Sequence, residues 1–306
     1  MNIKKMKHVE DTTQISKKAD LVINVIMGLM VAASLYPLLL VLSISFTDEQ
    51  MISMHGYQLI PQVFSLNAYQ FVLKEAVDIL RAYSVTLFVT VVGSITSLMV
   101  ISLYAYPLSR KDFRYKGFFT FLVFFTMLFN AGLVPWYMVY VNVLQVKNTI
   151  FALILPWLVT PLYVLIMRTF FQTTIPESLI EAAKMDGASE FTIFTRIVLP
   201  LAKPSLATIG LFNVLTYWND WYAPLLFITD KKLFNLQYMM YRVDQSITYL
   251  TSNAGALNNA SELLADIPSQ TARMAMAIIA IGPIIFAYPF FQKYFVAGLT
   301  VGSIKG

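Results

Sequence analysis

The sequence predicts an all-α membrane protein with six transmembrane helices, and three observations carry that expectation. The composition is 58% hydrophobic and only 13% charged over 306 residues, whereas soluble domains run at about 45–50% apolar and 25% charged. Uncharged runs occupy 21–47, 82–109, 117–146, 148–167, 204–219 (reaching 229 past Asp220) and 274–292. A span needs about 20 apolar residues, so the direct count is six, with the fifth the least clean. The basic residues also alternate by segment. With the N-terminus inside, the inner segments hold 15 of the 22 Lys and Arg and the outer ones 7, the bias that sets orientation in a membrane.

In chain order, residues 1–20 form a basic cytoplasmic tail with five Lys. The apolar run that follows is too long for the core of a cleaved signal, so it reads as an uncleaved first span over about 21–46, with Pro37 as a bend. Residues 47–80 form an outer segment carrying Asp48, Glu49, Glu75 and Asp78, in which 67–73 reads as a short surface helix. Span two covers 82–107 and is followed by the short basic turn 109–117. Span three covers 118–141 and contains Asn130, Gly132 and Pro135; span four covers 149–167 and contains Pro156 and Pro161. After an inner loop, 168–203, span five covers 204–227, an outer loop covers 228–272, and span six covers 274–291. Both termini then lie in the cytoplasm, and residues 21–306 make one six-span domain.

The inner loop is polar and helix-forming. Thr174-Ile175-Pro176-Glu177 reads as a capping box with Pro at the first helical position. Glu181, Ala182, Ala183 and Lys184 favour helix, and Gly187 can supply a left-handed stop. Ser189 can cap a second short helix that must end by Pro200. The expectation is a helix-turn-helix on the membrane surface, tied to spans at both ends.

Several function classes are excluded by what is missing. There is no cysteine, hence no disulfide or thiol chemistry, and His8 and His55 lie outside the spans. No His, Asp or Glu cluster has metal-ligand spacing. Asp220 is the one ionisable residue within the spans, whereas ion-coupled carriers keep such groups at membrane depth. No Gly-x-x-x-x-Gly-Lys-Ser/Thr occurs, so this chain cannot cradle ATP phosphates itself. The net charge of +5 follows membrane sidedness and is no sign of nucleic-acid binding.

Two spans carry neutral polar groups. Asn213, Tyr217 and Asp220 fall at i, i+4 and i+7 on one face of span five, beside Trp218, Asn219 and Trp221. Asn130 and Tyr137 are i and i+7 on span three. Such a lining suits sugars, because aromatic faces pack on the C–H face of a pyranose while amides and carboxylates bond its hydroxyls. The other reading is an interfacial aromatic belt with Asn as interhelical glue.

Glu181-Ala182-Ala183, then Gly187, then Ile197, Leu199 and Pro200 resemble the EAA loop of type I ABC importer permeases. The motif Trp218-Asn219-Asp220-Trp221-x-x-Pro224-Leu225 is similar to the end of span five in the carbohydrate-uptake class. The ending Gln292-Lys293-Tyr294-Phe295-x-x-Gly298 is similar to that class as well, and Phe129-Asn130-Ala131-Gly132-Leu133-Val134-Pro135, with Asn148-Thr149 and Ala152–Pro156, resembles a branch linked to polysaccharide-derived oligosaccharides, including uronates. The resemblance implies a type I permease fold in the bacterial cytoplasmic (inner) membrane. It implies that Glu181, Ala182, Ala183, Asp186, Gly187, Ile197, Leu199 and Pro200 form a coupling helix for a dimer of ATPase subunits, which would hold the Mg-ATP. It also implies a second homologous permease, an extracytoplasmic solute-binding protein, surrounding lipid and an oligosaccharide substrate. A passive channel, with the loop merely structural, is the alternative.

Overall fold

Long stretches free of charge and of Asp, Asn and Ser clusters have one way to satisfy their backbone in lipid, which is to close every N–H···O=C bond inside a helix. The computed structural model describes residues 16–74, 76–252, 268–282 and 284–285. Among them the secondary structure is helical, with one isolated bridge between Thr47 and Phe64. Two compact units form: residues up to 70 with 268–278, and residues from 71 with those from 279.

The first unit is built on α1 (Lys17–Ser45), a single helix that runs through Pro37. Residues 18–39 of α1 are exposed along their whole length. Next comes α2 (Glu49–His55), capped by the Asp48 carboxylate, which accepts from the Gln50 N–H, and closed by Gly56 at φ +73°. Phe46 stacks on both Phe64 and Tyr69, which fixes the chain between α2 and α3 (Asn67–Leu73). The Glu49 carboxylate accepts four hydrogen bonds from Ser269, Gln270 and Thr271 at 2.8–3.1 Å. It thereby caps the helix over 269–282, whose first N–H groups have no partner within that helix.

The second unit is organised around α4 (Ala76–Ser109), 34 residues long and apolar enough to cross a membrane. Then follow α5 (Lys116–Leu128), α6 (Leu133–Met138), a wide π turn at Val139–Val143, α7 (Phe151–Ile154), and α8 (Pro161–Thr174). The loop helices are α9 (Glu177–Met185), α10 (Glu190–Ile193) and α11 (Leu199–Leu201). They lead into α12 (Lys203–Trp218), α13 (Tyr222–Phe227) and α14 (Leu236–Ser252).

The expected spans three to five are not straight. The third bends by 117° between Leu128 and Leu133, and the fourth by 51° between Trp157 and Pro161. The chain turns by 81° between Leu201 and Lys203, and α12 gives way to α13 after Trp218. The first two breaks have a local cause. Asn130 Oδ1 accepts from the Gly132 N–H at 2.8 Å, and Gly132 sits at φ +86°, a conformation that glycine takes without strain. Pro161 lacks the N–H that would continue the helix before it. Among the described residues, two helices can cross a membrane by length and composition, or up to five if each bent pair is one span. The sixth expected span is described only over 269–282 and 284–285, so Pro283 and Pro289, the remainder of that span and the Gln292–Gly298 ending lie outside the described residues, as do 1–15 and 253–267.

Two cores sit along α4. Near Ser109, Ile101, Ala105 and Leu108 pack with Val164, Met167 and Phe171 of α8 and with Ile180, Ile193 and Val198 of the loop. Further up, Val89 packs with Ala152, Leu153, Tyr217 and Phe227. Here α12 lies against α4 at Gly93, where an added Cβ would come within 2.7 Å of the Tyr217 ring. Because lipid tails are as apolar as leucine, such close packing and interhelical hydrogen bonds, and not the hydrophobic effect, hold spans together.

Candidate functional site

The 168–203 loop is the most sharply specified surface feature of the chain. α8 continues to Thr174, so the expected capping box does not form: Thr174 is already helical, Pro176 stands at the N-cap, and no side chain caps α9. Glu177 instead reaches outward, its carboxylate 2.5 Å from Lys111 Nζ. The other end of α9 is as expected. Gly187 lies at φ +77°, its N–H donates to Lys184 O at 3.0 Å, and the Ala188 N–H donates to Ala183 O at 3.0 Å. These are the two bonds of a Schellman stop. Ser189 Oγ accepts from the Thr192 N–H and so caps α10.

The second helix does not stop at Pro200 but passes it. Between α10 and α11 the chain widens into a π turn over Phe194–Val198. Pro200 has no N–H to give to the carbonyl four residues back, and its ring crowds that carbonyl; the wide turn relieves both. The helix then ends at Ala202.

The loop has two sides. Ile180, Ala183, Ile193 and Val198 are buried in the core beneath it. Glu181, Ala182, Asp186, Gly187 and Pro200 are exposed, and Ile197 and Leu199 are half-buried. Two large apolar side chains stand out beside them, Met185 at 88% and Phe191 at 70% exposure.

A cluster of charges, missed by sequence reasoning, holds the loop against the basic turn 109–117. Lys184 Nζ lies 2.8 Å from Asp112 and 2.7 Å from Glu190, and Arg110 lies 3.0 Å from Asp112. The Tyr106 hydroxyl donates to Glu190 at 2.7 Å. Arg168 Nε donates to Leu108 O at 3.1 Å, fixing the end of α4 to α8. The Lys184 hydrogen bond, seconded by Arg110, holds the Asp112 carboxyl down at about 2. Lys184, then Tyr106, lower Glu190, while bonds to Asp112 and Glu190 raise Lys184, and Glu177 raises Lys111. The single acid within the basic 109–117 turn, Asp112, was the signal in the sequence that could have flagged this clasp. A cavity of about 480 Å³ opens beside it, among Tyr106, Arg110, Phe171, Thr174 and Glu177. Among the described residues no group of three His, Asp or Glu could hold a metal.

The fold divides the polar groups expected on spans three and five into buried and exposed ones, with Tyr137 packed against the core that holds Tyr217. Tyr217 is 1% exposed and its hydroxyl donates to Ile154 O at 2.9 Å. Trp218 is buried, and its Nε1–H donates to Ala280 O at 3.2 Å. Asp220 is buried and accepts from the N–H groups of Tyr222 and Ala223, capping α13. Asn213 is buried, and its Nδ2 has no partner among the described residues. Asn219 and Asn130 are exposed and Tyr137 is half-buried; Asn219 bonds back to Leu215 O, and Asn130 makes the turn at Gly132. Asn148, from the Asn-Thr pair, accepts from the N–H groups of Thr229 and Asp230 and so ties the start of span four to the end of α13.

Residues 98–301, which include this loop and most of the spans, match the family model described as the binding-protein-dependent transport system inner membrane component. The chain belongs to this family. The permease is 35% identical over 299 residues to Protein LplC of Bacillus subtilis (strain 168), covering 98% of this chain and 99% of that protein. It is 37% identical over 272 residues to the polygalacturonan/rhamnogalacturonan transport system permease protein YtcP of the same organism, covering 88% and 92%. Among solved structures it resembles a chain from the crystal structure of a bacterial ABC transporter involved in the import of the acidic polysaccharide alginate. That likeness has a TM-score of 0.73 at 30% identity and covers 92% of this chain and 99% of that chain. The fold is therefore that of a type I permease, and the permease is a transport subunit, not an enzyme.

Proposed function

We propose that the permease forms half of the translocation path of an ATP-driven oligosaccharide importer and receives its drive through the 168–203 loop. The observation that carries this is the loop's build. A rigid Schellman turn presents Glu181, Ala182, Asp186 and Gly187 between two unpartnered apolar side chains, Met185 and Phe191, on a base clasped by Lys184 and Asp112. Such a tip can transmit force because it cannot flex independently of α4 and α8. Its occupant is a dimer of ATPase subunits carrying the Mg-ATP that this chain has no motif to bind. The names of the relatives above support oligosaccharide as cargo.

The assembly includes a second homologous permease and an extracytoplasmic solute-binding protein. The distribution of Lys and Arg supports a bacterial inner-membrane topology of six spans, both termini and the loop lying in the cytoplasm. In this reading the exposed Asn130 and Asn219 and the half-buried Tyr137 meet substrate, while the buried Asn213, Tyr217, Trp218 and Asp220 shape the path from within the fold.

The native chain has no cysteine, so a single Met185→Cys is a clean probe. It is expected to react with maleimide from the cytoplasmic face only, and to cross-link to the ATPase in assembled vesicles. Labelling from the exterior, or no cross-link to an ATPase present in the complex, overturns the reading.

A further inference from the structure

At the far end of the second unit, α13 and α14 enclose a groove of about 440 Å³. One face of α14 lines it, through Tyr238, Tyr241, Arg242, Gln245 and Tyr249, with Leu225 of α13 opposite. The spacing i, i+3, i+4, i+7, i+11 is a single helical stripe. The groove thus presents ring faces, an amide and one charge, Arg242.

The rings continue beyond the groove. Trp221, 41% exposed, stacks on Tyr241 at 4.7 Å and meets Tyr222 edge-on at 5.8 Å. Tyr222 lies parallel to Trp136 of α6 at 6.1 Å. A track of partly exposed aromatic faces therefore runs from α14 back to the second half of the expected third span.

Arg242 is held in a particular way. Its guanidinium lies over the Phe234 ring at 4.9 Å, and among the described residues no carboxylate lies within ion-pair distance of it. Asp244, two residues on, points about 200° away round the helix. An arginine propped on a ring beside a groove, unmatched by an acid among the described residues, is built to meet an anionic group from outside the chain.

We propose that this groove is a saccharide subsite selective for acidic sugars. Tyr241 and Trp221 stack on the C–H faces of pyranose rings, Gln245 bonds ring hydroxyls, and Arg242 takes the carboxylate of a uronate. The track through Trp221, Tyr222 and Trp136 then gives the sugar successive stacking positions on its way inward. Stacking is tolerant of sliding because every pyranose offers an apolar face, whereas the arginine gives selectivity at the groove.

This subsite rests on the importer reading above, with α14 on the outer side. The test uses the full chain in lipid nanodiscs, with trigalacturonate and neutral galactotriose as probes and saturation-transfer NMR as the readout. Wild type binds both probes, the acidic one more tightly. Arg242→Gln lowers trigalacturonate affinity about tenfold, as expected for losing one charge-assisted pair, and moves galactotriose less than about twofold. Tyr241→Ala weakens both probes about fivefold, as for one lost ring contact, and Tyr241→Phe restores them. No transfer to either probe from wild type, or equal affinities across the variants, overturns the subsite. Uptake by the wild-type complex in proteoliposomes judges the importer reading separately: intact uptake with unaltered probe binding rejects the subsite alone, and ATP hydrolysis without uptake of any oligosaccharide rejects the importer.

Discussion

The clasped loop and the α4–α12 interface solve the same problem, holding segments together, by opposite means. At the loop, Lys184, Asp112, Glu190, Lys111 and Glu177 meet in half-exposed ion pairs. Between α4 and α12 the contact is one of fit, Gly93 against the Tyr217 ring, while the Tyr217 hydroxyl is given to the Ile154 carbonyl of α7. Exposed ion pairs are weak and easily remade. Shape-matched packing without water is stiff, and a single added carbon disturbs it. Charge therefore trims the fit of the loop to the basic turn, while the packing beneath, of Ile180, Ala183, Ile193 and Val198 with α4 and α8, is what roots it.

The comparison breaks most visibly at Gly187. Gly187→Pro replaces a φ of +77° by the fixed −65° of proline and deletes the N–H bonded to Lys184 O. The expected outcome is a loss of uptake of about tenfold or more with ATP hydrolysis no longer stimulated by substrate, while membrane insertion is unchanged. Glu181→Lys, on the exposed side of the same turn, is expected to act in the same direction. The ratio of uptake to ATP hydrolysis in proteoliposomes is the measurement; unchanged coupling in both variants would sink the role of the loop.

The interface gives the next largest effect, and on stability alone. Gly93→Ala is expected to destabilise the purified permease by about 1–3 kcal/mol through overpacking. Combining it with Tyr217→Ala should recover part of that loss, since the clash partner is gone. Thermal unfolding followed by tryptophan fluorescence reads both. Tyr217→Phe keeps the packing and loses only the bond to Ile154 O, so it should cost about 1 kcal/mol and leave transport intact.

The smallest effects belong to the clasp. Lys184→Met removes two half-exposed pairs and is expected to cost less than about 1 kcal/mol of stability, yet to lower coupling more than any substitution of Tyr217 that preserves the ring. Its pH dependence follows from the shifts. Asp112 is depressed to about 2 from an ordinary 3.8, so its contribution is complete above 3.8 and fades as pH falls towards 2. Glu190 acts with the same sign. Lys184 is raised above 10.5, so its contribution is complete below that value and fades as pH rises past the raised one. Coupling should therefore be flat through the neutral range and sensitive instead to about 1 M salt, where the screening length drops to about 3 Å. A titration of coupling near neutrality, absent in Lys184→Met, would contradict this account.

How much could be read in advance differed by feature. Gly187 as a left-handed stop and Ser189 as a cap were legible because both act on their own neighbours. The capping box at Thr174 was not realised because α8, packed on α4, carries its helix to Thr174, about two turns past the expected end of the span at 167. Asn213 and Tyr217 share a face of α12, as their spacing requires, but the helix ends at Trp218 and leaves Asp220 outside it, and periodicity is silent on what a face meets. Tyr217 found a carbonyl 63 residues away, and Asp220 turned to cap the next helix.

The sequence by itself determined the class of the molecule and where most of its helices run. Lipid leaves backbone groups no partner but their own helix, and Pro and Gly interrupt that rule locally. Only the tertiary structure decided that Lys184 closes on Asp112 across 72 residues, that Tyr217 lies flat on Gly93, and that Arg242 stands on Phe234 beside a groove. These are meetings between separate segments, and their partners are chosen by packing distance, on which neither composition nor periodicity bears.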